Sequence, residues 1–184
     1  MNSIARFLSI PVVADTLLKV AKLNPYIHIP SADTKDVKEG AYMERYWLVP
    51  ESWKLPFAIR VHIIKRPDTD RHLHDHPFDF RTFVLDGSYW EEQFSCPGLT
   101  HAQPHIGIHQ TSWWFRGEGT TSKLQAVSKI DCFGRKASTG FHRIAEIDPG
   151  RHGGVLTLFV YGKRKQPWGF MTEKGKVNFE DYLT

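Results

Sequence analysis

The chain has 184 residues, 41% of them hydrophobic and 24% charged, with a formal net charge of +4. That length fits one domain able to bury about 70% of its unfolded surface, and the balanced composition excludes disorder and fibrous repeats. No apolar run reaches the roughly 18 residues of a transmembrane helix, and two cysteines, Cys96 and Cys132, are too few for a disulfide framework or a cysteine-rich zinc site.

Residues 1–23 carry Arg6, Asp15, Lys19 and Lys22 and no long apolar stretch, so no secretory signal is expected. A cytoplasmic, reducing setting with both thiols free follows. The same stretch reads as a short helix, with Ser9 as its cap, Pro11 in the first turn and Asn24-Pro25 as its stop. Val12, Val13, Leu17, Leu18 and Val20 form its apolar stripe, expected to pack on the rest of the chain rather than on a membrane.

From residue 42 the texture changes to short runs of β-branched and aromatic residues broken by Gly, Pro and Asp. Strands are expected over 42–49, 57–65, 79–85 and 88–94, with Asp86-Gly87 as a hairpin turn between the last two. Further strands are expected over 108–116, 124–130, 140–147, 155–161 and 168–172, with 95–110 as a long hairpin connection. Regular short strands argue for an all-β sandwich or barrel. The chain divides into a helix and extended arm over 1–41 and a β-domain over 42–184.

The run Arg71-His72-Leu73-His74-Asp75-His76-Pro77-Phe78-Asp79-Phe80 is the strongest feature. Residues two apart on a strand share a face, so His72, His74 and His76 can converge. Two imidazoles from one strand, a carboxylate and a distant third histidine suit a divalent transition metal. Pro77 cannot donate to a ladder, and a bend there would turn Asp79 inward despite its odd spacing from His76.

This run resembles the first motif of the cupins, a jelly-roll superfamily. The likeness extends through Arg60-Val61-His62-Ile63-Ile64, Leu85-Asp86-Gly87-Ser88-Tyr89, Phe141-His142-Arg143-Ile144, 157–162 and Trp168-Gly169-Phe170, covering residues 42–182. It is similar to small bacterial and phage cupin-like proteins. The resemblance implies a double-stranded β-helix with a short N-terminal helix, and a metal held by His74, His76, Asp79 and His142. Two departures stand out: the usual acid is Glu, five residues after the second histidine, and here that window holds none. Counted from His74, Asp79 falls at that spacing, so His72 and His74 are the alternative pair. Sheet-edge pairing into a homodimer is implied by resemblance as well.

Arg60 and His62 alternate with Val61 and Ile63, and period two leaves open which pair faces inward. If inward, Arg60 is a clamp for a substrate carboxylate or phosphate. Arg143 faces away from His142 and is expected in an external ion pair. Tyr46, Trp47, Trp113, Trp114 and Trp168 read as core or rim packing, with Trp114 or Tyr89 as contacts for a ring substrate. His101, His105 and His109 recur at helical spacing, but Pro104 and Gly107 make that segment a loop. Six basic residues against one acid give 151–176 a charge of +5, so the remainder nets −1. Within it, Lys163-Arg164-Lys165 reads as an exposed turn, and nucleic acid is not an expected partner.

Three functions compete. The leading one is a small-molecule enzyme, an Fe(II)-dependent dioxygenase with an anionic substrate oriented by Arg60; zinc, manganese, nickel and cobalt are alternative ions. The second is a metal-dependent isomerase or epimerase of a polar, sugar-like substrate. The third is a non-catalytic ligand-binding or interaction module.

Overall fold

A computed structural model describes residues 2–24, 26–29, 41–68, 72–95, 108–115, 119–122, 126–130, 136–138, 141–172 and 175–182, with backbone alone for 2, 26–29, 93–95, 108–115, 119–122, 126–130 and 136–138. Two helices open the chain, α1 (Asn2–Leu8) and α2 (Pro11–Ala21). The strands follow as β1 (Tyr26–Ile29), β2 (Met43–Val49), β3 (Phe57–Ile64), β4 (Phe80–Asp86), β5 (Ser88–Ser95) and β6 (Ile108–Phe115). Then come β7 (Gly119–Ser122), β8 (Ala126–Ile130), β9 (Lys136–Ser138), β10 (Phe141–Asp148), β11 (Val155–Gly162), β12 (Gly169–Thr172) and β13 (Gly175–Asn178), and α3 (Phe179–Tyr182) ends the described chain.

The fold is all-β, a jelly roll with short N-terminal helices, and its pairing shows why. Strands β4 and β11 are antiparallel partners in a six-stranded sheet of order β1-β2-β3-β11-β4-β7. Their chain neighbours β5 and β10 are antiparallel partners in the second sheet, of order β10-β5-β6. One two-stranded ribbon therefore runs from one sheet into the other, which is the winding of a double-stranded β-helix.

Asp86-Gly87 is thus a corner, not the expected hairpin turn: β4 and β5 belong to different sheets. The Asp-Gly pair encodes the same tight backbone in either setting. Gly87 has φ +80°, and a Cβ there would stand 2.8 Å from the Asp148 carbonyl oxygen. The opposite strand turns beside it, where Asp86 accepts from the Arg151 N–H at 2.7 Å. The 95–110 connection does join paired strands, β5 and β6, as expected.

The six-stranded sheet is covered on its outer face by the helices. Val61, Ile63, Phe83, Leu85, Leu156 and Leu158 pack there against Ala5, Ala14, Leu18 and Ala21 in the main apolar core. The stripe expected on α2 is corrected in part. Leu18 is buried and Leu17 packs against the core, but Val12 is 69% and Val20 45% exposed. Small Ala14 and Ala21 take their place because they let the helix approach the sheet closely. Ser9 does not cap α2: Ile10 holds that position, and the Ser9 hydroxyl donates to the Arg6 carbonyl at 2.9 Å, closing α1. Pro11 opens α2 as expected.

The second sheet gains a central rung from one residue. His74 bridges His142 at the start of β10 on one side and Phe170 of β12 on the other. The His74 N–H donates to the His142 carbonyl at 2.9 Å and receives the reciprocal bond at 2.8 Å. The metal-motif run is therefore part of the sheet ladder.

Candidate metal centre and its cavity

Alternation about His74 decides the site. Asp75 points outward and is completely buried. Its carboxylate accepts from the Gly169 N–H at 2.8 Å, from Gln166 Nε2 at 2.9 Å and from the Lys176 ammonium at 2.5 Å. That fixes the backbone, so His74 and His76 project together from the opposite face.

His74, His76 and His142 offer ring nitrogens that all lie within 4.8 Å of one another. His76 Nε2 is 2.8 Å from His142 Nε2. His142 Nδ1 lies 2.5 Å from Glu91 Oε1, a charge-assisted bond. With that bond the proton stays on Nδ1, and Nε2 is left to face the cluster. Aromatic rings wall the group: Phe80 lies 4.5 Å from the His76 ring and Phe170 6.2 Å from that of His74, centroid to centroid.

Burial lowers the basicity of all three imidazoles, and Glu91 sets one of them apart. Burial drives His74 down to about 4, helped by the neighbouring His142, and drives His76 well below its ordinary value. Burial opposes protonation of His142 too, but the Glu91 hydrogen bond and charge outweigh it and raise that group. His74 and His76 are thus neutral, ligand-ready bases at neutral pH. His74 Nδ1 is buried without a hydrogen-bond partner. An orphaned buried nitrogen among converging neutral imidazoles is the donor chemistry that fits a divalent transition metal.

The sequence-derived residues are not all brought together. His74, His76 and His142 meet. Asp79 does not join them: its carboxylate pairs with the Lys165 ammonium and its side chain is 40% exposed. The reason is parity. Phe80 opens β4 pointing inward, so the bend at Pro77 leaves its neighbour Asp79 outside. His72 is drawn away as well, with Nδ1 2.9 Å from the Tyr182 hydroxyl. Among the described residues the acid hydrogen-bonded to the triad is Glu91, and no motif marked it.

The triad lies on the wall of a cavity of about 760 Å³ between the two sheets. The opposite wall is the inner face of β2, β3 and β11, and it carries Arg45, Arg60, His62 and Thr157. Arg60 and His62 therefore face inward, while Val61 and Ile63 face the helices. The Arg60 guanidinium sits 4.0 Å from the Trp47 ring and 4.8 Å from that of Tyr161. Glu51 is 3.6 Å from it at the exposed mouth.

Tyr89 and Trp168 line the same cavity, and Trp168 stacks on Phe179 at 4.2 Å. Arg143 pairs outside with Glu92 at 2.6 Å, as its alternation required. Lys163, Arg164 and Lys165 are exposed, and Arg164 reaches the cavity rim. Cys96, Cys132, His101 and His105 lie outside the described residues, as do the side chains of His109, Trp113 and Trp114. Among the described residues no helix is long and apolar enough to cross a membrane.

No protein-family model matches the sequence, and neither does any curated protein. Solved structures similar to the chain include Fe(II) HppE, at 12% identity and a TM-score of 0.43 over 76% of this chain and 57% of that one. Bacillus subtilis oxalate decarboxylase OxdC, as a deletion mutant, has 13% identity and a TM-score of 0.45, over 79% of this chain and 30% of its own. A sugar phosphate isomerase described as from a cupin superfamily, from Silicibacter pomeroyi, has 10% identity and a TM-score of 0.38, over 70% and 65%. The chain spans little more than half of the first of these and under a third of the second.

Proposed function

We propose that this chain is a cupin-type, metal-dependent enzyme that acts on a small anionic molecule in the cavity between its sheets. His74, His76 and His142 would hold the ion, with Fe(II) favoured and O₂-dependent oxidation as the chemistry. The observation that carries the reading is the convergence of the three rings on a cavity wall, with the third oriented by Glu91. When bound, a divalent ion in a site of neutral imidazoles keeps its full charge, and so supplies Lewis acidity and open positions for O₂ or a substrate oxygen.

The chain's own groups do the rest. Asp75 and the rungs to His142 and Phe170 fix the direction of His74 and His76. Glu91 holds the proton on His142 Nδ1. Phe80, Phe159 and Phe170 exclude water from the triad's flanks. Arg60, clamped between two rings, would orient the substrate's negative end.

Metal analysis of protein purified without added metal tests the site, and oxygen uptake with Fe(II) tests the chemistry. Stoichiometric metal that His76→Ala and His142→Ala each abolish supports the site. Metal binding without O₂ consumption would shift the reading to the isomerase or epimerase, and a closed ligand sphere to a non-catalytic module.

A further inference from the structure

The wall facing the triad carries a second, independent set of unsatisfied groups. Arg45 and His62 are register partners across β2 and β3, and His62 and Thr157 across β3 and β11. The three therefore stand in one row on the cavity face, and Arg60 lies two residues from His62 on the same face. His62 is 6% exposed, Thr157 is fully buried and the Arg60 side chain is 12% exposed. Arg45 Nε, Arg60 Nε, His62 Nε2 and Thr157 Oγ1 are all buried without a hydrogen-bond partner.

Such groups are costly to bury unless something pairs with them. Arg45 has no carboxylate partner among the described residues, its Nη2 touching only the Met43 sulfur at 3.9 Å. Arg60 shares the single acid nearby, Glu51, at the solvent-exposed mouth. Two guanidinium charges, an imidazole and a hydroxyl thus share one wall of the cavity, while the acids Asp68 and Glu91 that also line it are engaged elsewhere, on the Ile144 N–H at 2.7 Å and on His142 at 2.5 Å. Arginine forks match planar or tetrahedral oxyanions.

We propose that Arg45, Arg60, His62 and Thr157 form an oxyanion subsite that holds the doubly charged end of the substrate, a phosphate monoester or a dicarboxylate. It rests on the reading of this cavity as the substrate chamber and narrows the substrate class. The subsite adjoins the triad across Phe159, whose ring stacks on that of His62 at 5.1 Å and lies 5.8 Å from that of His76. The substrate is therefore a bifunctional molecule, its dianionic end on the arginine wall and its reacting end turned toward the three histidines.

The test is calorimetric titration of chelator-treated protein with inorganic phosphate, malonate and, as an uncharged control, glycerol. Saturable binding of phosphate or malonate, but not glycerol, is expected, with Arg45→Gln and Arg60→Gln each weakening it at least tenfold. Thr157→Val is expected to weaken it less. Phosphate binding alone assigns a phosphate monoester, and malonate binding alone a dicarboxylate. In case Arg45→Gln does not fold, the arginine Nε–H resonances of the unaltered protein are followed during the same titration. Shifts of Arg45 and Arg60 support the subsite. Absence of binding, or binding that leaves both resonances and both variants unaffected, overturns it. Because no metal is present, failure here leaves the triad reading intact, and loss of metal binding elsewhere leaves the subsite intact.

Discussion

The two faces of β3 divide the molecule into a satisfied half and an unsatisfied half. Val61 and Ile63 pack outward into the helix-covered core, where apolar surface is simply removed from water. Arg60 and His62, on the alternate positions, look into the cavity with polar atoms left unpaired. The metal-motif run repeats the pattern. Asp75 on the outer side collects three donors, while His74 on the inner side keeps a bare Nδ1. Most of the buried polar atoms without partners among the described residues, those on Arg45, Arg60, His62, His74 and Thr157, line the one cavity. The satisfied faces hold the fold, and the unsatisfied faces are kept for a ligand.

Substitutions should separate the two halves. The largest expected effect is that of Asp75→Ala, which removes the fully buried carboxylate that accepts from the Gly169 N–H, Gln166 Nε2 and the Lys176 ammonium and should cost about 3–5 kcal/mol in chemical denaturation. Leu156→Ala on the helix side, where the side chain is fully buried, should cost about 2–5 kcal/mol while leaving metal affinity unchanged once the protein is folded. Glu91→Gln should keep the fold and lower metal affinity about 10–100-fold, because it weakens the bond that orients His142. A loss of stability as large as that of Leu156→Ala would break the division.

The pH dependence of metal-free stability has two limbs. His74 and His76, depressed when folded, stabilise above the ordinary imidazole value. That contribution is lost as pH falls from about 6.5 toward the folded value of about 4 for His74. His142, raised when folded, stabilises below about 6.5 and loses that as pH rises through its folded value. Melting temperature against pH should peak between the limbs, and Glu91→Gln should flatten the alkaline one. The smallest effect is His62→Leu, which removes an unpaired polar atom and should change stability by no more than about 1 kcal/mol in either direction.

Much of this is legible in the amino-acid sequence. Period two groups His74 with His76, and short strands broken by Gly and Pro mark an all-β fold. His142 is reachable only by resemblance, because the chain between it and His76 gives no local sign of the return. Glu91 was hidden because it stands beside Glu92, and alternation alone does not say which of them faces in. The register does: Arg143 lies opposite Glu92 and pairs with it outside, leaving Glu91 on the inner face diagonal to His142. Arg60 and His62 were ambiguous for a similar reason. Both faces of β3 are covered, one by helices and one by the cavity, and only the helix layer decides that the apolar pair turns outward. Asp79 misled because a bend at Pro77 can turn the next carboxylate either way, and Lys165 holds it outside.

The most direct measurement is titration of chelator-treated protein with Fe(II) under anaerobic conditions, alongside His76→Ala, His142→Ala and Asp79→Ala. The account predicts one ion per chain for the unaltered protein and for Asp79→Ala, and loss of binding in both histidine variants. Binding that survives in folded His76→Ala and His142→Ala would contradict it.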